Sequence, residues 1–213
     1  MMQNSELCNL LESLCLKKET AHIEFKLDEK HPEQIGEYIS ALANGACIAD
    51  EPFAYLVWGV EDSTCNIKGT RFKISTAKKG NQDLELWLRT LLTPKIHFEI
   101  YEFTYNILPI TLLKIPAAIG EPVIFQSKGF IRINSQKTEL KNHPSLIRKI
   151  YNSLKDWSVE VVESASLHDL SPEAVLLAKR KFAEKNPKYA EEIKNWDDIT
   201  FLDRLRITFN GKM

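Results

Sequence analysis

The sequence predicts an α+β protein: a mixed or antiparallel sheet flanked by helices, with a helical C-terminal extension. Three observations carry this. Apolar residues recur with helical spacing in separated segments, and with strand alternation between them. One run, FAYLVWGV at 53–60, is apolar almost throughout, as in a strand covered on both faces. The elements follow in the order helix, strand, helix, strands, helix, strands, helix, which suits an α+β domain.

Taken in order, Leu7, Leu10, Leu11 and Leu14 fall at i, i+3, i+4 and i+7. They predict an amphipathic helix over residues 5–16 with Ser5 as N-cap. Residues 21–27 alternate. Ala21, Ile23, Phe25 and Leu27 point one way, and His22, Glu24 and Lys26 the other, onto an exposed face. Pro32 suits the first turn of a second helix. Ile35, Tyr38, Ile39 and Leu42 form its buried face, and Asn44-Gly45 reads as its stop. After the apolar strand, Glu61-Asp62-Ser63 reads as a turn and residues 66–72 as a short return strand. Leu84, Trp87, Leu88, Leu91 and Leu92 define a third helix that Pro94 ends. Residues 96–105 and 107–116 read as a hairpin, 129–134 as one more strand, and 143–154 as a helix with proline in its first turn. Beyond residue 157 the character changes. A short strand at 157–164 precedes a helix opened by Ser171-Pro172-Glu173 and closed near Asn186-Pro187, with further helical turns to about residue 205. Trp157 and Trp196 are read as anchors of this tail. The expected division is residues 1–155 and residues 156–213, the second a linker to a further domain.

The chain has 213 residues, 44% of them hydrophobic and 27% charged, with a net charge of −1. Nothing global attracts nucleic acid, so such a partner must be met by local patches. The N-terminus is acidic and amphipathic, unlike a signal peptide. No apolar run approaches the roughly 18 residues that span a membrane. A cytoplasmic protein is expected. Cys8, Cys15, Cys47 and Cys65 form no C-x-x-C pair and read as small hydrophobes in a reducing compartment. No phosphate-binding loop, nucleophile elbow or dinucleotide fingerprint is present.

Two stretches can carry chemistry. ETAHIEFK, 19–26, places Glu19, Glu24 and Lys26 within eight positions. Residues 122–151 hold Lys128, Arg132, Lys137, Lys141, Arg148 and Lys149 against one acid, Glu139. Such an excess favours phosphate through counterion release. Arg71, Lys73, Lys78 and Lys79 add to it, and Ser127, Asn134, Ser135 and Thr138 supply neutral donors. Arg132 lies between Ile131 and Ile133 and is expected to project from the opposite strand face.

ETAHIEFK, YISALAN, LVWGVEDS, IKGTRF and GFIRINSQK, in that order, resemble the Schlafen-type AlbA-like domain over residues 12–150. One departure is a single glycine and a longer acidic insertion in NGACIADEPFAYLVWGV, where the family has a Gly-Gly pair. The resemblance implies the DNA-binding N-terminal domain of a transcriptional regulator of the bacterial branch. DNA is expected ahead of RNA, with Arg71, Lys73, Lys128, Arg132, Ser135 and Lys137 as contacts, and a homodimer stays open. The alternative it implies is a divalent-metal-dependent endoribonuclease with Glu19, Glu24 and Asp62 as catalytic metal ligands. There Mg²⁺ or Mn²⁺ would take carboxylate oxygens and activate water, and Lys26 would contact phosphate. The blander reading is a solvated strand face with an ion pair of Glu24 and Lys26, and a turn at Asp62. A binding module is preferred over an enzyme.

Overall fold

The computed structural model describes residues 2–28, 30–62, 64–134, 136–154 and 165–208. The chain divides into two compact units, Met1–Leu154 and Lys155–Met213. The first unit is α+β. Its elements run α1 (Asn4–Lys17), β1 (Ile23–Lys26), α2 (Pro32–Ile48), β2 (Phe53–Trp58), β3 (Lys78–Lys79), β4 (Gln82–Asp83), α3 (Leu84–Leu91), β5 (Leu92–Thr93), β6 (Glu99–Tyr105), β7 (Leu108–Pro116), β8 (Ile124–Phe125), β9 (Lys128–Ile133), β10 (Gln136–Glu139) and α4 (Pro144–Tyr151).

Two four-stranded sheets form, in the orders β1-β2-β7-β6 and β10-β9-β8-β5. β1 and β2 are parallel, with Glu24 opposite Leu56, and β2 and β7 are antiparallel, with Leu56 opposite Leu113. The apolar run earns its central place because both of its faces are covered. Ala54, Leu56 and Trp58 pack with Ile35, Ile39 and Leu42 of α2. Val57 packs on the other side with Leu7, Leu11 and Leu14 of α1 and with Ile23 and Phe25 of β1.

Three expectations change. α1 starts at Asn4, because the Glu6 carboxylate accepts the Gln3 backbone N–H at 2.7 Å, so Gln3 rather than Ser5 is the N-cap. Residues 66–72 form no strand. Only an isolated bridge joins Val60 to Ile67, and the N–H groups of Lys68 and Gly69 converge on the Gly59 carbonyl at 2.8 and 2.9 Å. Gly59 and Gly69 turn the chain through positive φ of 98° and 80°.

The third change concerns α2, which runs through Asn44-Gly45 to Ile48 instead of stopping there. Asn44 Nδ2 donates to the carbonyls of Val123 and Phe130 at 2.8 and 2.9 Å, and its Oδ1 accepts the Val123 N–H at 2.8 Å. One turn earlier, Ser40 Oγ donates to the same Val123 carbonyl at 2.7 Å and accepts the Phe130 N–H at 3.0 Å. Both side chains are fully buried. They follow Gly36 at four-residue steps, so all three share one helix face. A Cβ at Gly36 would overlap the Phe125 ring, and one at Gly45 would overlap the Ala21 carbonyl. These residues let the second sheet press against α2 and fix its register.

In the second unit, α5 (Pro172–Lys185), α6 (Ala190–Ile193) and α7 (Asp198–Arg204) surround a small core of Val175, Phe201 and Leu202. Ser171 caps α5 by accepting the Ala174 N–H at 3.3 Å. Trp196 packs in this core, with the Arg204 guanidinium 4.5 Å from its ring centre. The strand expected at 157–164, including Trp157, lies outside the described residues. No helix among the described residues is long and apolar enough to cross a membrane.

Asn44→Ala removes three buried hydrogen bonds, stranding the Val123 N–H and the Phe130 carbonyl and leaving the Val123 carbonyl to Ser40 alone. It is expected to lower stability by about 3 kcal/mol or more, read as a fall in the urea midpoint with an unchanged slope.

Candidate functional site

Among the described residues β1 is an edge strand, bonded to β2 alone. His22 and Lys26 turn their carbonyls towards β2, accepting the N–H groups of Tyr55 and Gly59 at 2.8 Å each. The backbone of Ile23 and Phe25 therefore faces the open edge. Side chains complete that edge. The turn closed by the Thr20–Ile23 bridge folds Glu19 back, so that its Oε1 accepts the Phe25 N–H at 3.0 Å. Arg132 Nη1 donates to the carbonyls of Ile23 and Thr20 at 2.7 and 2.8 Å, and Nη2 meets Glu19 Oε2 at 3.0 Å. A guanidinium from the second sheet and a carboxylate from the preceding turn thus replace the missing neighbour strand.

Glu24 meets the same guanidinium. Its Oε2 lies 2.5 Å from Arg132 Nη1, while Oε1 pairs with Lys26 Nζ. Both Nη1 protons are committed to carbonyls, so the contact with Oε2 is one of charge and not a directed hydrogen bond; Oε2 and Arg132 Nε carry no hydrogen-bond partner. Burial pushes the Glu24 carboxyl above the usual range, against the pull of the Lys26 hydrogen bond and the Arg132 charge. Burial alone would lower the Lys26 ammonium, but the hydrogen bond and charge of Glu24 outweigh it and hold that group above the ordinary lysine range.

This corrects the exposed strand face expected for Glu24 and Lys26. Glu24 is 3% exposed and the Lys26 side chain 20%. His22, expected on the same open face, is buried, and burial lowers its imidazole. Arg132 does alternate with Ile131 and Ile133 as expected, but its side chain is 1% exposed because that face turns inward onto β1. It joins the two sheets and does not reach solvent.

The expected carboxylates converge only in part. Glu19 and Glu24 meet at Arg132, whereas Asp62 lies exposed in the turn after β2. Among the described residues no three His, Cys, Asp or Glu side chains are grouped to hold a metal. A divalent ion at Glu19 and Glu24 would have to share their oxygens with a guanidinium and an ammonium. These residues, in this arrangement, do not fit Mg²⁺ or Mn²⁺.

The basic residues are arranged as a ladder. Lys128, Phe130 and Arg132 share one face of β9, and Lys137 and Glu139 face them from β10, Lys137 opposite Arg132 and Glu139 opposite Phe130. Each cation on this face has a carboxylate: Lys137 lies 2.6 Å from Glu37, and Lys128 and Lys141 lie 3.0 and 2.5 Å from Glu139. Lys149 sits 3.7 Å from Asp50 and Lys79 2.5 Å from Glu33. The positive excess counted along residues 122–151 is therefore largely neutralised from other elements. Arg71, Lys73 and Arg148 are exposed, and Ser135 lies outside the described residues. On the reverse face of the ladder, Ile133, Asn134, Gln136, Thr138 and His143 line an open cleft of about 440 Å³.

Sequence reasoning missed Tyr38 and Glu37. Tyr38, expected in the core, is half-buried, with the Lys137 and Lys26 ammoniums 4.2 and 5.0 Å from its ring centre. No linear spacing links residues 26, 38 and 137, so the sequence held no signal for this cluster.

The family described as "Schlafen, AlbA_2" matches residues 19–141, and one described as "Domain of unknown function (DUF8451)" matches residues 144–213. Among solved structures, the DIP2311 protein from Corynebacterium diphtheriae is 18% identical with a TM-score of 0.49, over 98% of this chain and 38% of that one. This chain thus spans well under half of that protein's length. The N-terminal domain of a RecG-related protein from Nitrosomonas europaea is 18% identical with a TM-score of 0.38, over 65% of this chain and 93% of that one. No curated protein matches the chain.

Arg132→Leu would leave Glu24 buried beside a single cation and reopen the β1 edge. A stability loss of about 3–5 kcal/mol is expected. The double variant Glu24→Leu/Arg132→Leu should lose less than the single one, as read by chemical denaturation.

Proposed function

The chain belongs to the Schlafen AlbA_2 family, and from that premise we propose that it is a nucleic-acid-binding module, the DNA-binding N-terminal part of a transcriptional regulator. The observation that carries this reading is the outer end of the β9–β10 ladder, where Lys128 and Lys141 are 61% and 75% exposed. Their pairing with Glu139 does not disable them. Exposed ion pairs are worth about 0–1 kcal/mol, so they give way to a polyanion whose counterions are released on binding. Arg148, Arg71 and Lys73, also exposed, are further candidate contacts. The cleft behind the ladder offers amide, hydroxyl and imidazole groups suited to phosphate oxygens or base edges. Arg132 serves this surface indirectly, by fixing β9 and β10 against β1. In this reading the protein acts in the cytoplasm, and residues 156–213 connect the module to an effector.

Filter binding of duplex DNA and of RNA of equal length tests the proposal. Affinity should fall linearly on a log–log plot against salt, be indifferent to EDTA, and weaken at least about tenfold in Lys128→Glu/Lys141→Glu. Absence of binding to both polymers at low salt refutes it. Cleavage of RNA that needs Mn²⁺ and stops with EDTA would replace it by the endoribonuclease reading.

A further inference from the structure

We propose that Lys128 and Lys141 form a ready-made grip for one oxyanion, a backbone phosphodiester, and that the Glu139 carboxylate occupies this grip as a stand-in until the polymer displaces it. The inference rests on the nucleic-acid reading and deepens it, by locating where on the surface a phosphate is exchanged.

Glu139 uses its two oxygens separately. Oε1 lies 3.0 Å from Lys128 Nζ and Oε2 2.5 Å from Lys141 Nζ. The two non-bridging oxygens of a phosphodiester diverge from one atom in the same way, so ammoniums spaced for the carboxylate are spaced for the phosphate. The two lysines hold the Glu139 carboxyl below the usual range, Lys141 more than Lys128 through its hydrogen bond. The layering favours exchange. The carboxylate side chain is 26% exposed and lies beneath lysines that are 61% and 75% exposed, so it masks their charge without covering them.

The inner rungs of the same face behave differently. Lys137, with Glu37, is 17% exposed, and Arg132, with Glu19 and Glu24, is 1% exposed. Separating those pairs would leave buried charge, whereas separating the outer one returns each group to water. Only the outer rung can trade its carboxylate for an incoming anion at low cost.

Glu139→Gln keeps the side chain's size and removes its charge. It should tighten duplex DNA binding about three- to tenfold at low salt, and raise the salt needed to elute the protein from heparin. The same charge change at Glu12, exposed on α1 and bonded to Tyr105 of β6, the opposite edge of the first sheet from β1, should alter neither by more than about twofold. Adding Lys128→Ala and Lys141→Ala to Glu139→Gln should remove the gain without lowering the melting temperature. If Glu139→Gln binds DNA and heparin no better than Glu12→Gln, the grip is refuted, and the nucleic-acid reading stands if the parent protein binds. If heparin retention rises while neither protein binds DNA or RNA, the lysine pair grips an oxyanion, but the phosphodiester occupant is refuted and the nucleic-acid reading fails with it.

Discussion

The first unit depends on one buried guanidinium. Arg132 belongs to the second sheet, yet its hydrogen bonds end on the carbonyl of Ile23 in β1, the edge of the first sheet, and on the Thr20 carbonyl and Glu19 carboxylate of the turn before it. An uncovered edge carrying Ile23 and Phe25 would invite another strand, and its N–H and C=O groups would lie unpaired beside an apolar core. A guanidinium answers both needs, since its planar fork reaches two carbonyls and a carboxylate at once. The charge so buried must be matched, and Glu19 and Glu24 match it from either end of the same short segment. The acid-rich opening of β1 is thus a consequence of bringing an arginine to its edge.

That arrangement sets the character of the whole β9–β10 face. Pairs near β1 are desolvated and fixed; pairs farther out are solvated and replaceable. Exposure rises from Arg132 through Lys137 to Lys128 and Lys141, while each cation keeps a carboxylate nearby. Burial, more than the number of positive charges, separates the residues that hold the fold from those available to a partner. Ser40 and Asn44 secure β9 along its other edge, through the Phe130 backbone, and the chain entering β8 through Val123. β9 is therefore held by β10 on one edge and by α2 at Phe130 on the other, while its outer end meets solvent.

Much of the fold was legible from periodicity. Leu7, Leu11 and Leu14, the apolar run at 53–60, of which β2 keeps residues 53–58, the hairpin of β6 and β7, and the Ser171 cap all follow from spacing or local chemistry. Three of the failures share a cause. Asn44-Gly45 looked like a helix stop, Glu24 a solvated residue and Arg132 a phosphate contact, because each is polar. Each instead meets a partner from at least 79 residues away, whose presence no local pattern reveals.

By itself, the sequence determined the main helices and the strands β1, β2, β6, β7 and β9, and that Glu19, Glu24, Lys26 and the basic residues of 128–149 are where charge concentrates. Only the tertiary structure decided how that charge is used. It drew two of the three expected metal ligands onto an arginine and spread carboxylates from α2, from the turn before β1 and from β10 along one basic face. The physical reason is that a charge is neutralised by whatever lies within a few ångströms in space, and a chain that folds back on itself fills that neighbourhood from distant positions.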